Sequence, residues 1–201
     1  SIAEDTGLIT DIGDWVFYEV AKQVAQWRET HHTNFQVSIN KSPVQFISNK
    51  DNSHIIWFEY LKKLGLSGEN IVVEITEGLM LEMNSSISDQ LLAFRNQGIQ
   101  VSLDDFGTGY SSLSYLNKFD IDYLKIDQSF VSNLKHNSDN MALCEAIVVM
   151  AHKLNIKVIA EGIETQEQYD LLSAIGCDFG QGYLSSKPLP ADEFEKLFIT
   201  D

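Results

Sequence analysis

The sequence predicts an α/β barrel of the (β/α)8 type, of which about six βα units are present. Short apolar segments alternate with helical stretches along the whole chain, and this alternation favours parallel strands joined by helices. In most strand candidates apolar and polar residues alternate, so one face of the strand is apolar. Each strand candidate also carries a polar residue at its C-terminal tip, the end at which barrel enzymes hold their active sites.

Six strand candidates and the helical stretches between them account for most of the chain. The strands are expected at Gln36-Asn40, Ile71-Thr76, Ile99-Asp104, Tyr123-Asp127, Lys157-Ile163 and Phe179-Leu184. Helices are expected near 10–30, 52–65, 84–97, 138–155, 165–176 and 191–199, with a short one after Ser111. Ser138 is the expected N-cap of the fourth helix, and Thr165 with Gln168 forms the expected capping pair of the fifth.

The strand at Ile99-Asp104 indicates which side chains point into the barrel. Val101 and Leu103 share one face and should meet the outer helices, whereas Ser102 and Asp104 share the other. The same alternation predicts six inward polar residues at the strand tips, namely Asn40, Glu74, Asp104, Lys125, Glu161 and Gln181. Burying such groups unpaired costs several kcal/mol each, so the set predicts a functional site rather than a core.

The composition is that of a single globular domain, which we expect to span residues 1–201. Apolar residues make up 44% of the chain and charged residues 21%, as in ordinary soluble domains. No apolar run approaches the roughly 20 residues of a membrane-spanning helix. Cys144 and Cys177 lack metal-ligand spacing and predict a reduced pair. We expect a cytoplasmic location, with the cytoplasmic part of a membrane-anchored protein as the alternative.

The formal net charge of −15 argues against binding to polymeric nucleic acid, which needs clustered Lys and Arg. A small anionic ligand is compatible with this charge only if divalent cations neutralise the carboxylates that it approaches. A solvated acidic surface explains most of the charge equally well.

The oxygen-bearing residues of the predicted site suit a hard divalent cation. They are Asn40, Glu74, Asp104, Asp105 and Glu161. The adjacent Asp104 and Asp105 could bridge two ions, and such a centre would clamp the attacking and leaving oxygens of a phosphodiester. Lys125 would be the one cationic side chain of the cluster, placed to orient water or stabilise phosphate charge. Any one of these carboxylates alone is better explained by a salt bridge or a helix cap; the whole set favours Mg²⁺ or Mn²⁺, with two ions.

A glycine-containing loop follows the paired aspartates. The stretch from Asp105 to Leu113 contains Gly107 and Gly109, which supply the backbone freedom for a tight loop. Because the loop starts at the predicted metal site, it is a candidate lid.

Seven short motifs follow one another along almost the whole chain. They are Ile2-Ala3-Glu4-Asp5-Thr6-Gly7-Leu8-Ile9, Asn40-Lys41-Ser42, Glu74-Ile75-Thr76-Glu77, Asp104 through Leu113, Lys125-Ile126-Asp127, Ala160-Glu161-Gly162-Ile163-Glu164-Thr165 and Gln181-Gly182-Tyr183. In this order they resemble the motifs of EAL-domain phosphodiesterases, which open the cyclic dinucleotide cyclic di-GMP to linear pGpG. The resemblance implies a barrel of the EAL kind and the same hydrolysis in bacterial second-messenger signalling.

The resemblance also implies a distribution of the metal ligands. Asn40, Glu74 and Asp104 would hold one ion. Asp104, Asp105 and Glu161 would hold the second, so Asp104 would serve both.

The remaining roles also follow from the resemblance. Lys125 and Glu161 would prepare the hydrolytic water. Glu77 would anchor the loop after Asp105, Glu164 would be a supporting carboxylate, and Gln181 would contact the substrate.

The sequence departs from the family pattern in two places. The Glu-Ala-Leu signature is absent, and by analogy two strands with a metal-binding glutamate and a substrate-binding arginine would precede the first residue. We therefore expect this chain alone to be a weak or inactive phosphodiesterase, with its two end strands as open edges. The second departure is Lys41, where the family usually has an apolar residue. Because side chains alternate along a strand, Lys41 should point outward, so we expect it to have little effect on metal binding.

Two other functions compete with the hydrolase. A catalytically degenerate EAL domain would bind cyclic di-GMP, or a protein partner, without cleaving it, but the six visible site residues favour the enzyme. A barrel enzyme of unrelated metabolism requires that the motif matches be coincidental. The resemblance further implies an upstream sensory or diguanylate cyclase-type domain and is compatible with a homodimer.

Overall fold

The computed structural model describes residues 2–31, 35–47, 53–82, 84–109, 116 and 119–199. The helices within these ranges are α1 (Ile2–Asp5), α2 (Leu8–His31), α3 (Pro43–Ile47), α4 (Ser53–Lys63), α5 (Glu77–Leu81), α6 (Ser85–Asn96), α7 (Gln128–Val131), α8 (Asp139–Lys153), α9 (Gln166–Ala174) and α10 (Ala191–Phe198). The strands are β1 (Val37–Asn40), β2 (Ile71–Thr76), β3 (Gln100–Phe106), β4 (Tyr123–Ile126), β5 (Lys157–Ala160) and β6 (Phe179–Gly180). The chain forms two compact units, residues 1–101 with 191–201 and residues 102–190.

The first unit is built around the parallel pair β1 and β2. Val37 lies opposite Ile71, and the register continues to the pair Asn40 and Glu74. The first five residues of β2 are buried, as expected for a strand covered on both faces. In the helical layer, Phe17 of α2 stacks on Trp57 of α4, with ring centroids 4.2 Å apart and planes 5° from parallel.

The second unit contains β3 from Ser102 onward, followed by β4, β5 and β6, all parallel. Ser102 lies opposite Tyr123, and Tyr123 lies opposite Lys157. The pairing continues from β5 to β6, where Ile159 lies opposite Phe179. Parallel pairing within both units agrees with the predicted class of βα repeats.

Both helix caps that the sequence predicts are present. The Ser138 side chain accepts a hydrogen bond from Met141 N–H at the start of α8. Thr165 and Gln168 form the capping box that starts α9.

Three strands end earlier than predicted, β4 by one residue, β5 by three and β6 by four. β5 stops at Ala160 because Gly162, two residues on, adopts a left-handed backbone with φ of +68°. β6 keeps only Phe179–Gly180, since Gly182 turns against the Ile163 backbone so closely that a Cβ there would lie 2.2 Å from a carbonyl oxygen. Glu161 and Gln181 therefore lie just past the strand ends.

The sequence did not predict the shortest helices, α1, α3, α5 and α7. Each contains four or five residues, too few for an amphipathic period to show. The short helix expected after Ser111 falls mostly outside the described residues. In the part of the chain that the structure describes, no helix combines the length and apolarity needed to cross a membrane.

Lys41 is buried in the first unit, and its neighbours are aromatic. Its side chain is only 2% exposed, and its Nζ lies 4.6 Å from the ring centroid of Trp57 and 5.0 Å from that of Phe46. Burial lowers the pKa of Lys41 to about 8, and the attraction of Asp14 opposes this only in part. The cation–π contacts stabilise the ammonium, but they replace its hydration incompletely.

We predict that Lys41→Met stabilises the protein at pH 7 by about 1–3 kcal/mol, because an apolar side chain needs no hydration. Folding lowers the pKa of Lys41 from its ordinary value of 10.5 to about 8, so between these values the unfolded chain holds the extra proton. Wild-type stability should therefore rise with pH across this window relative to the variant. Thermal unfolding from pH 7 to 10.5 measures both effects, with the exposed Lys22→Met as control. A variant less stable than wild type at pH 7 would show that the aromatic contacts outweigh the desolvation.

Candidate metal centre

The centre of the site is an ammonium group held between two carboxylates. Lys125 of β4 places its Nζ 3.0 Å from Asp104 Oδ1 and 2.6 Å from Glu161 Oε1. Asp104 belongs to β3 and Glu161 directly follows β5, the two strands that flank β4. The lysine side chain is 4% exposed, so these charges interact with little screening by water.

A β-bulge brings the adjacent Asp104 and Asp105 to the same place. Leu103 pairs with Leu124 and Phe106 pairs with Ile126, so two aspartates on β3 face the single residue Lys125 on β4. In a regular strand, consecutive side chains would point to opposite faces. The sequence predicts both aspartates in the site but not the bulge that puts them there.

Asp105 adopts the left-handed backbone that allows this turn. Its φ is +55°, a conformation that costs a non-glycine residue roughly 1–2 kcal/mol. Its N–H donates to Asp104 Oδ1 at 3.1 Å, and its carbonyl accepts from the Thr108 hydroxyl at 2.8 Å. The Asp-Asp pair followed by Phe-Gly is the signal in the sequence that could have indicated a strained turn.

Asp104, Asp105 and Glu161 form a compact acidic cluster. Each offers a carboxylate oxygen, and these oxygens all lie within 4.8 Å of one another. Lys125 is paired with two of these carboxylates. The three carboxylates and one ammonium together carry a net charge of −2. Oxygen donors at this spacing with excess negative charge fit a hard divalent cation such as Mg²⁺ or Mn²⁺.

Gln181 joins the cluster through Glu161. Its Nε2 donates to Glu161 Oε1 at 2.6 Å, while its own side chain is exposed. Oε1 of Glu161 thus accepts from both Lys125 and Gln181, which fixes the orientation of the carboxylate. The structure brings Asp104, Asp105, Lys125, Glu161 and Gln181 together at the C-terminal ends of β3 to β6.

Asn40 and Glu74 lie in the first unit, at the corresponding ends of β1 and β2. They are register partners, and Lys41 N–H donates to the Glu74 carbonyl at 2.9 Å. Asn40 is exposed and Glu74 is 7% exposed. Their assignment to one metal ion stays a prediction.

The two supporting glutamates differ in environment. Glu77 is buried at the first position of α5, and most of the loop that it is predicted to anchor, residues 110–115, lies outside the described residues. Glu164 is exposed, and its N–H donates to Gln168 Oε1 at 2.8 Å.

Parallel strands with clustered carboxylates and a buried lysine at their C-terminal ends define an α/β protein with an acidic candidate metal site. This chain belongs to the EAL domain family, whose sequence profile matches residues 1–188.

Curated relatives extend well beyond the matched region. The chain is 39% identical over 192 residues to the oxygen sensor protein DosP of Escherichia coli, covering 96% of this chain and 24% of DosP. It is 38% identical over 200 residues to the bifunctional diguanylate cyclase/cyclic di-GMP phosphodiesterase MucR of Pseudomonas aeruginosa, covering 96% and 28%. The chain spans about a quarter of the length of the curated relatives it matches.

Solved structures agree with this assignment. The phosphodiesterase PaMucR in complex with c-di-GMP matches with a TM-score of 0.88 at 35% identity, covering 96% of this chain and 83% of that one. BlrP1 of Klebsiella pneumoniae, in its manganese and cyclic di-GMP complex at pH 9.0, matches with a TM-score of 0.78 at 27% identity, covering 94% and 46%. The predicted fold class, a partial (β/α)8 barrel of the EAL kind, is confirmed.

We predict that Lys125→Met destabilises the metal-free protein by about 3 kcal/mol or more, because it removes the cation between two largely buried carboxylates. Mn²⁺ should then raise the melting temperature of the variant more than that of wild type, since the ion restores the missing charge. Differential scanning fluorimetry with and without Mn²⁺ measures both effects.

The control is Lys196→Met, which removes a surface ion pair whose side chains are 73% and 71% exposed. It should change stability by less than about 1 kcal/mol. Equal stability of metal-free wild type and Lys125→Met would contradict the central role of the buried ion pair.

Proposed function

We propose that this chain is a catalytic domain that hydrolyses cyclic di-GMP to linear pGpG with the help of divalent metal ions. The observation that carries the proposal is the Lys125 ammonium clamped between Asp104 and Glu161 beside the third carboxylate of Asp105. Membership of the EAL family and the cyclic di-GMP bound to PaMucR support the choice of substrate.

Hydrolysis to linear pGpG replaces one ester oxygen on one phosphorus atom with an oxygen from water. A water oxygen bonds to phosphorus, the bond from phosphorus to the 3′ oxygen breaks, and that oxygen leaves with a proton. A divalent ion in such a centre lowers the pKa of a bound water and neutralises charge on the phosphate.

The side chains of the site hold the reacting groups in place. The oxygen ligands come from Asp104, Asp105 and Glu161. The bulge at Asp105 directs both aspartates to the same metal ion, or to two adjacent metal ions. Lys125 keeps Glu161 in one orientation and places positive charge where the phosphate would approach. Gln181, bonded to the same carboxylate, limits its rotation and lies exposed to an incoming substrate.

We further propose two ions of Mg²⁺ or Mn²⁺, with Asn40 and Glu74 contributing to the first together with Asp104. The all-oxygen donor set supports hard cations, and manganese in the BlrP1 complex is compatible with this choice. In the protein that carries this chain, a sensory or diguanylate cyclase-type domain would accompany it. DosP and MucR, whose names describe such functions, support that arrangement.

We predict that Asp104→Ala lowers the rate of cyclic di-GMP hydrolysis by at least about 100-fold, more than the loss of an outer-shell group would cause. Lys125 keeps its contact with Glu161 in this variant, so the fold should persist. Rates of pGpG formation with Mn²⁺, measured by chromatography on the protein that carries this chain, test the prediction.

Asp192→Ala is the matched control, since Asp192 is an exposed residue of the C-terminal helix.

Substituting Ca²⁺ for Mn²⁺ should also abolish turnover, because Ca²⁺ prefers looser coordination and is a poorer Lewis acid. Substantial hydrolysis by Asp104→Ala would contradict the metal mechanism. If wild type binds cyclic di-GMP but does not hydrolyse it, the result would favour a catalytically degenerate EAL domain.

A further inference from the structure

The segment that carries Glu161 is held through its backbone. Glu161 N–H donates to the Ile126 carbonyl at 3.1 Å, and Ile163 N–H donates to the Gln181 carbonyl at 3.1 Å. The next two N–H groups, of Glu164 and Thr165, both donate to Oε1 of Gln168, at 2.8 and 2.9 Å. One side chain of α9 therefore fixes the end of the Glu161 segment.

The other end of the Gln168 amide reaches a different element. Its Nε2 donates to the carbonyl of Val131, the last residue of α7, at 3.0 Å, and the residue is 7% exposed. A glutamate at this position would complete the capping box of α9 equally well, but it could not donate to Val131. The amide thus joins α7 to the Glu161 segment as well as capping α9.

The short helix α7 touches both turns that carry the acidic cluster. A Cβ on Gly162, the residue after Glu161, would lie 2.6 Å from Gln128 Cβ at the start of α7. A Cβ on Gly107, two residues after Asp105, would lie 3.0 Å from the ring of Phe130. Because α7 starts three residues after Lys125, its position bears on the lysine and on both acidic turns.

We propose that Gln168 is a positioning residue of the metal centre. By tying α7 to the Glu161 segment, it fixes the distance between Glu161 and the pair Asp104 and Asp105. The inference rests on the proposed function, because it takes the acidic cluster to be a binding site for divalent cations. Outer-shell residues that orient metal ligands typically account for about 10–100-fold in metal affinity or activity.

The test is Mn²⁺ affinity, measured by isothermal titration and by the electron paramagnetic resonance signal of free Mn²⁺. Gln168→Met keeps the length of the side chain but removes both kinds of hydrogen bond, and we expect its Mn²⁺ affinity to fall by about tenfold or more. Gln166→Met is the matched control on the same helix, because the Gln166 amide donates to Asp170 on an exposed face. It should bind Mn²⁺ as wild type does.

Gln168→Glu separates positioning from helix capping. The carboxylate can still accept from Glu164 and Thr165, but it cannot donate to Val131. If the tie to α7 positions the cluster, this variant loses Mn²⁺ affinity as well. If Gln168 only caps α9, the variant binds Mn²⁺ normally and the inference is overturned.

A second pair of variants tests the same contact without altering Gln168. Gly162→Ala places a methyl group 2.6 Å from Gln128 Cβ and also strains a backbone whose φ is +68°, and both effects should lower Mn²⁺ affinity by displacing the Glu161 turn from α7. Adding Gln128→Gly removes the opposing Cβ and should restore part of the loss. Absence of this rescue, with normal binding by wild type, would overturn the role of α7. Wild type that neither binds Mn²⁺ nor cleaves cyclic di-GMP would instead overturn the proposed function.

Discussion

The ion pairs of Lys125 with Asp104 and Glu161 link the three central strands of the second unit. An ammonium group that is 4% exposed needs anionic partners, because an isolated buried charge costs several kcal/mol. Its partners come from β3 and from the residue that follows β5, so this one group ties both neighbouring strands to β4 in the observed register. A slip of one residue would turn the lysine to the opposite face of β4 and separate it from both carboxylates.

Both turns next to this ion pair use a left-handed backbone, and only the one at Asp105 is strained by it. Asp105 and Gly162 both have left-handed backbones, with φ of +55° and +68°. Asp105 has a side chain in this region, so its conformation persists only because the Thr108 hydrogen bonds and the bulge over-determine it. The short helix α7 packs against a glycine in each turn, and a Cβ there would lie 2.6 Å from Gln128 Cβ at Gly162 and 3.0 Å from the Phe130 ring at Gly107.

Lys125 and Lys41 are both buried, but their ammonium groups have different partners. Lys125 meets two carboxylates, whereas the Lys41 ammonium lies over the rings of Trp57 and Phe46. Aromatic faces attract a cation less strongly than carboxylates do, and burial accordingly lowers the pKa of Lys41. Strand parity predicts an outward position for Lys41, and its ammonium lies among rings carried by the helices of the first unit.

The sequence by itself determined the parallel βα class, the helix caps at Ser138 and Thr165, and the candidate residues at the strand tips. These depend on periodicity and local hydrogen bonding, which neighbouring residues specify directly. Only the tertiary structure decided that Asp104 and Asp105 face one lysine together, that β5 and β6 stop early, and that Gln168 joins α9 to α7. Each of these depends on packing between segments distant in the chain, and a bulge or a glycine contact leaves no periodic signal in the sequence.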